Sequence, residues 1–179
     1  MKDVLIAFGK YLHDRGQNFE VVIIGGAALL ALGIINRATV DVDCLSPEIP
    51  ADIKAAAITF SDKYSGNSSP LHKDWLNNGP RALVTDLPSE WEKRLQMIYQ
   101  GPGITVYTLC RADLLLTKLF AYCDRQQDEG DCIALAPTEQ ELSDSYNWLR
   151  ERDGHPGWPD HVKASLEGLA EKLGYGFSI

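Results

Sequence analysis

The apolar positions of the first third of the chain change period twice. Val4, Leu5, Phe8, Tyr11 and Leu12 recur at helical spacing between Asp3 and Arg15, and Gly16 follows where a helix C-cap belongs. Phe19 to Ile24 is then a short β-branched run that stops at Gly25-Gly26, and Ala27 to Ile35 is apolar all round. That order predicts a buried strand, a tight turn and a buried helix.

A second strand is expected over Ala38 to Leu45, broken by Ser46-Pro47-Glu48-Ile49-Pro50. A helix over Ala51 to Lys63 follows, turning Ile53, Ala57, Phe60 and Tyr64 inward. Ser65 to Pro80 reads as loop with a turn near Trp75, and Arg81 to Leu87 as a third strand. Ser89-x-x-Glu92 has the form of a capping box, which predicts a helix through Tyr99. Ile104 to Leu109 is the fourth expected strand.

Beyond Arg111 only helical patterns remain, at about Arg111 to Asp124, Asp131 to Leu135, Glu139 to Arg152 and Asp160 to Leu173. Thr138-x-x-Glu141 caps the third of them. The expectation is an α/β (α+β) fold: a mixed sheet of about four strands flanked by helices, with a helical C-terminal part. With no linker in view, we read one domain over 1–179, its core at about 19–110 and its helical part at about 111–179.

Composition narrows the partners. At 179 residues and 45% hydrophobic content the chain can bury a core of its own. A net charge of -8 argues against broad nucleic-acid binding, which draws its affinity from Lys and Arg on phosphates. The longest apolar run, Val21 to Ile35, is short for a membrane span and interrupted by two glycines, and the N-terminus lacks the layout of a secretory signal. Cys44, Cys110, Cys123 and Cys132 form no C-x-x-C pair and have no histidines at zinc-ligand spacing. A cytoplasmic protein with reduced thiols and no membrane partner is expected.

The chemistry concentrates in Gly25-Gly26 and in Arg37-x-Thr39-x-Asp41-x-Asp43. Aspartate is depleted in strands, so two in one strand-like run need a compensating partner. Residues two apart on a strand share a face with Cα atoms roughly 6.5 to 7 Å apart, close enough for both carboxylates to meet one hard cation. A glycine turn between strand and helix offers unpaired backbone N–H groups to a phosphate. Two plainer readings stand beside these: an acidic surface strand, and glycines that only let helix and strand pack closely. Gly25-Gly26 lacks the pattern of a dinucleotide fingerprint or a P-loop.

These segments resemble the stand-alone bacterial nucleotidyltransferases of the polymerase-beta-like superfamily, related to the toxins of type IV abortive-infection systems. The resemblance covers roughly Val21 to Leu135. It rests on the two segments just named, on Leu87-Pro88-x-x-Trp91-x-x-Arg94-Leu95, and on Asp113-x-x-x-x-Lys118 followed by Arg125-x-x-Asp128-x-x-Asp131.

The resemblance implies transfer of a nucleoside monophosphate from a nucleoside triphosphate (NTP) to an acceptor hydroxyl on tRNA, protein or a small molecule. It makes Asp41 and Asp43 ligands of Mg2+ and calls for a third carboxylate from a neighbouring strand, for which Asp86 at the end of the Arg81 to Leu87 run is the candidate. An aspartate there also suits the turn before Pro88. Gly25, Gly26, Arg37, Thr39 and Lys118 are the expected nucleotide-binding residues, and an antitoxin-type protein is a possible partner by analogy.

Asp113 is expected to serve its own helix start, and Arg125 and Asp128 to form a helical ion pair. Three departures bear on triphosphate affinity more than on fold: Gly26 where many active members carry serine, Gln127 where lysine is frequent, and Cys110 where serine or threonine usually caps a helix. They leave a second reading, a catalytically degenerate fold that binds a protein partner.

Overall fold

The computed structural model describes residues 1–64 and 71–176. Internal contacts divide the chain into two compact units, Met1–Cys110 and Arg111–Ile179.

The first unit begins with α1 (Lys2–His13), whose buried stripe of Val4, Leu5, Phe8 and Leu12 is the one its periodicity predicts. It continues through β1 (Phe19–Ile24), α2 (Gly25–Ala31), β2 (Val42–Ser46), α3 (Ala51–Lys63) and β3 (Leu76–Asn77). Two short 3-10 helices, Gly79–Thr85 and Trp91–Arg94, lead into β4 (Gln96–Gly101) and β5 (Ile104–Thr108).

The five strands form one mixed sheet in the order β3-β2-β1-β5-β4. The pairs β1/β5 and β2/β3 are parallel, while β1/β2 and β4/β5 are antiparallel. Partners in register share a face, so Phe19, Val21, Ile23, Ile104 and Val106 line one side of the sheet. All five are buried. Gly9 of α1 comes down on Ile104, so this is the side that α1 covers. Phe8 extends the core sideways, meeting Trp75 edge-on at 5.2 Å and Phe60 of α3 at 5.3 Å between ring centroids.

The opposite side carries Glu20, Val22 and Ile24 of β1 with Thr105 and Tyr107 of β5. Here the register against β2 breaks between Val22 and Ile23: Val22 pairs with Ser46, Ile23 with Cys44 and Ile24 with Asp43. Leu45 is the extra residue of a β-bulge, and it lets Asp43 and Ser46, three apart, stand on the same face as Ile24 and Val22.

Two stretches depart from the sequence expectation. Residues 81 to 87 form no strand, because Pro80 sits in the first turn of a 3-10 helix that Asn77 opens by accepting from the Gly79 N–H at 2.7 Å. Asn78 ties that start to the end of β2, accepting from the Ile49 N–H at 2.8 Å and donating to the carbonyls of Cys44 and Pro47. Residues 89 to 99 form no long helix, because Glu90 is left-handed at φ 62 and only Trp91–Arg94 coils before β4 begins. Pairing of β4 with β5 across Gly101-Pro102-Gly103 outweighs the local capping signal.

β2 is also shorter than expected, since residues 38 to 41 precede it, and α2 ends at Ala31 before a turn at Gly33. Part of the loop expected over 65–80 lies outside the described residues.

The second unit is helical: α4 (Arg111–Arg125), α5 (Glu129–Ala134), α6 (Glu139–Leu149) and α7 (Trp158–Lys172). Thr138 and Glu141 form the expected capping box, the Glu141 carboxylate accepting from the Thr138 N–H at 2.8 Å and the Thr138 hydroxyl accepting from the Glu141 N–H at 3.2 Å. Phe120 stands edge-on between Trp148 and Trp158. Among the described residues no helix is long and apolar enough to cross a membrane.

Candidate active site at the glycine turn

β1 ends at Ile24 and the chain turns through Gly25 with φ +71, a conformation that glycine adopts without the Cβ penalty of other residues. Space makes a second demand at the same position. A Cβ on Gly25 would lie 2.5 Å from Oδ2 of Asp43, so the carboxylate rests directly on the bare glycine backbone. Asp43 is brought there by the sheet, through its pairing with Ile24 across the β1/β2 ladder.

Gly26 is enclosed from the other direction. The site a Cβ would occupy lies 3.3 Å from the Thr39 hydroxyl oxygen and 3.7 Å from Nη1 of Arg37. That hydroxyl donates to Oδ1 of Asp41 at 3.2 Å. Asp41 immediately precedes β2, and Asp43 lies within it. Each reaches the turn, Asp43 by direct contact with Gly25 and Asp41 through Thr39 to Gly26. Thr39 also places a hydroxyl beside Gly26.

Among the described residues no group of three or more His, Cys, Asp or Glu side chains is arranged to hold a metal ion. Two carboxylates are, however, the protein share of a magnesium site whose remaining ligands are water and the phosphates of a substrate. Asp41 and Asp43 fit that donor set.

On the neighbouring strand the residue in register with Asp43 is Asn77, a neutral amide whose oxygen serves the Gly79 turn. The sequence offered no sign of this neighbour, because β3 is only two residues long. Asp86 ends no strand; it is exposed and closes the 3-10 helix, its N–H bonded to the Leu83 carbonyl at 3.0 Å. That 3-10 segment packs against β2.

In the helical unit Lys118 is buried and its ammonium lies 2.7 Å from Asp128 and 2.6 Å from Asp131. Burial alone would lower its pKa, but the hydrogen bonds to the two carboxylates outweigh that and raise it. Burial likewise pushes Asp128 up, and the bonds from Lys118 and Arg125 more than offset it, holding Asp128 below the usual carboxylate value. Arg125 completes the expected i, i+3 pair at 2.9 Å. Lysine, arginine and two aspartates thus make one network joining α4 to α5, and Asp113 is buried in the first turn of α4.

Comparison with known families decides the class. A family model described as "Nucleotidyltransferase of unknown function (DUF6036)" matches residues 4–148. The chain belongs to this family. Neither the curated proteins nor the solved structures contain a match. The matched stretch of this DUF6036 nucleotidyltransferase includes the glycine turn, both aspartates, Arg37, Thr39, Asp86 and Lys118. The family's description names a nucleotidyltransferase and neither a substrate nor an acceptor.

Proposed function

We propose that this DUF6036 chain is a metal-dependent nucleotidyltransferase that moves a nucleoside monophosphate from an NTP to an acceptor hydroxyl. The observation that carries the reading is the convergence of Asp43 on Gly25 and of Asp41, through Thr39, on Gly26. It leaves a turn without side chains beside two acidic groups, which suits a polyphosphate bridged to protein by a cation.

In this reading Asp41 and Asp43 hold the cation, and the phosphates meet the turn through it, since the Asp43 carboxylate already lies over Gly25, and Thr39 and Arg37 over Gly26. Thr39 orients the Asp41 carboxylate, and the exposed Arg37 guanidinium offsets phosphate charge. A magnesium ion bound there would acidify the attacking hydroxyl and stabilise charge on the phosphoryl oxygens. The acceptor oxygen bonds to the α-phosphorus as that phosphorus parts from its β-bridging oxygen. Pyrophosphate departs with the electron pair and the hydroxyl proton passes to solvent. Lys118 anchors α5 in this scheme, its charge shared by Asp128 and Asp131.

The second reading, a degenerate fold that binds a protein, has one specific observation in its favour: the strand position beside Asp43 holds Asn77 and no carboxylate. The two separate on incubation with α-labelled triphosphates, Mg2+ and a cell extract. Label transferred to any acceptor by the native chain, and lost in Asp43→Asn, supports the transferase. Magnesium-independent protein capture with no transfer supports the module. Growth arrest on expression, relieved by Asp43→Asn, would extend the transferase reading to a toxin.

A further inference from the structure

A cavity of about 480 Å³ opens on the sheet face that carries Asp43. Its floor is a row across three strands, Ser46 of β2, Val22 of β1 and Tyr107 of β5, which the register sets side by side. Asp43 pairs with Ile24, which lies two residues along β1 from Val22, a Cα spacing of roughly 6.5 to 7 Å. The wall is Trp91, buried at 5% exposure, from the 3-10 helix Trp91–Arg94. Glu20 and Glu92 stand exposed at the rim, and among the described residues neither is held in an ion pair.

We propose that this cavity receives the acceptor, and that the acceptor is a small molecule carrying both a hydroxyl and a protonated amine. The inference rests on the transferase reading above and adds the substrate class. The volume is that of a small-ligand site. Two exposed carboxylates attract a cation, which suits the cavity to a reactant opposite in charge to the triphosphate. Hydroxyls of Ser46 and Tyr107 offer hydrogen bonds to a polyol, and the Trp91 wall gives its carbon skeleton an apolar surface. The same two carboxylates, on a chain of net charge -8, disfavour a nucleic-acid acceptor.

The test uses the intact chain and three sugars of nearly equal size: glucosamine, glucose and glucose 6-phosphate. Thermal shift without nucleotide should show stabilisation by glucosamine alone. Glu20→Gln and Glu92→Gln should each weaken that binding about two- to fivefold, as expected for exposed charges, and the double variant about tenfold. The shift given by Mg2+ with each common triphosphate, read in the same variants, should not move.

Equal behaviour of the three sugars, or glutamine variants that alter triphosphate binding and leave glucosamine untouched, overturns the assignment. Binding of glucosamine with no triphosphate binding would keep the cavity and remove the transferase. The reverse would keep the transferase and remove the cavity as a site for amines.

Discussion

Oδ2 of Asp43 lies 2.5 Å from where Gly25 would carry a Cβ, and Gly25 holds φ +71. The turn therefore excludes a side chain for two independent reasons, conformational and spatial. Gly25→Ala should destabilise the first unit by roughly 1–3 kcal/mol, through strain in the left-handed region and displacement of the carboxylate. Urea unfolding measures it. Gly26→Ala, which meets Thr39 at 3.3 Å with an ordinary backbone, should cost less than half as much; equal costs would contradict this account of the turn.

Asp41→Asn and Asp43→Asn should each abolish the magnesium-dependent thermal shift given by a nucleoside triphosphate. The unfolding midpoint without ligand should change little, because amides preserve the shape of the groups they replace. Thr39→Val should weaken the same shift about two- to tenfold by freeing the Asp41 carboxylate from its hydroxyl. Nucleotide binding undiminished in all three variants would remove the glycine turn from the reaction.

Lys118→Met should be the most damaging single change in the helical unit. It leaves Asp128 and Asp131 facing one another without their shared cation, at a cost of about 3–5 kcal/mol. Adding Asp128→Asn and Asp131→Asn should restore much of the loss, since a neutral cluster needs no counter-charge. Unfolding of the single and triple variants, followed by helical circular dichroism, gives the comparison.

Acid should act on the same network. The native pKa of Asp128 lies below its ordinary value of 3.8, so its contribution is complete above that value and is lost as pH falls through the lowered one. The pKa of Lys118 is raised above 10.5, so its contribution is complete below that value and fades only in stronger alkali. The stability difference between native chain and Asp128→Asn should therefore be flat through neutral pH and shrink below about pH 4.

Thiol reactivity gives an independent check of burial. Cys123 and Cys132 are buried and their thiols are pushed up to about 12, chiefly by burial. Cys44 is raised further by burial and by the neighbouring Asp43. At neutral pH a disulfide reagent should modify the half-buried Cys110 first and the other three only on unfolding.

Elements that depend on neighbours in sequence were legible before the structure was known. The stripe of α1, the run of β1, the cap of α6 and the glycines after Ile24 follow from periodicity and capping chemistry. What failed was set by distant partners. Gln96–Gly101 is a strand because β5 pairs with it, and the better clue was Gly101-Pro102-Gly103, a turn between two short runs, instead of the serine and glutamate before Trp91.

The site divides in the same way. The spacing of Asp41 and Asp43 was visible, whereas their different routes to the turn depend on how Thr39 folds back. Asn77 gained its importance from a two-residue ladder that no pattern marks, and Lys118 finds Asp128 ten positions along the chain, beyond helical spacing.

The bulge at Leu45 constrains how this protein can change length. Side chains alternate across a sheet, so losing that one residue would return β2 to strict alternation and leave Asp43 and Ser46 on opposite sides. Either the acid would then turn toward the helix-covered interior or the serine would leave the cavity floor. Single-residue insertions and deletions in this strand should therefore be far less tolerated than substitutions that keep its count, although Leu45 itself does not line the cavity.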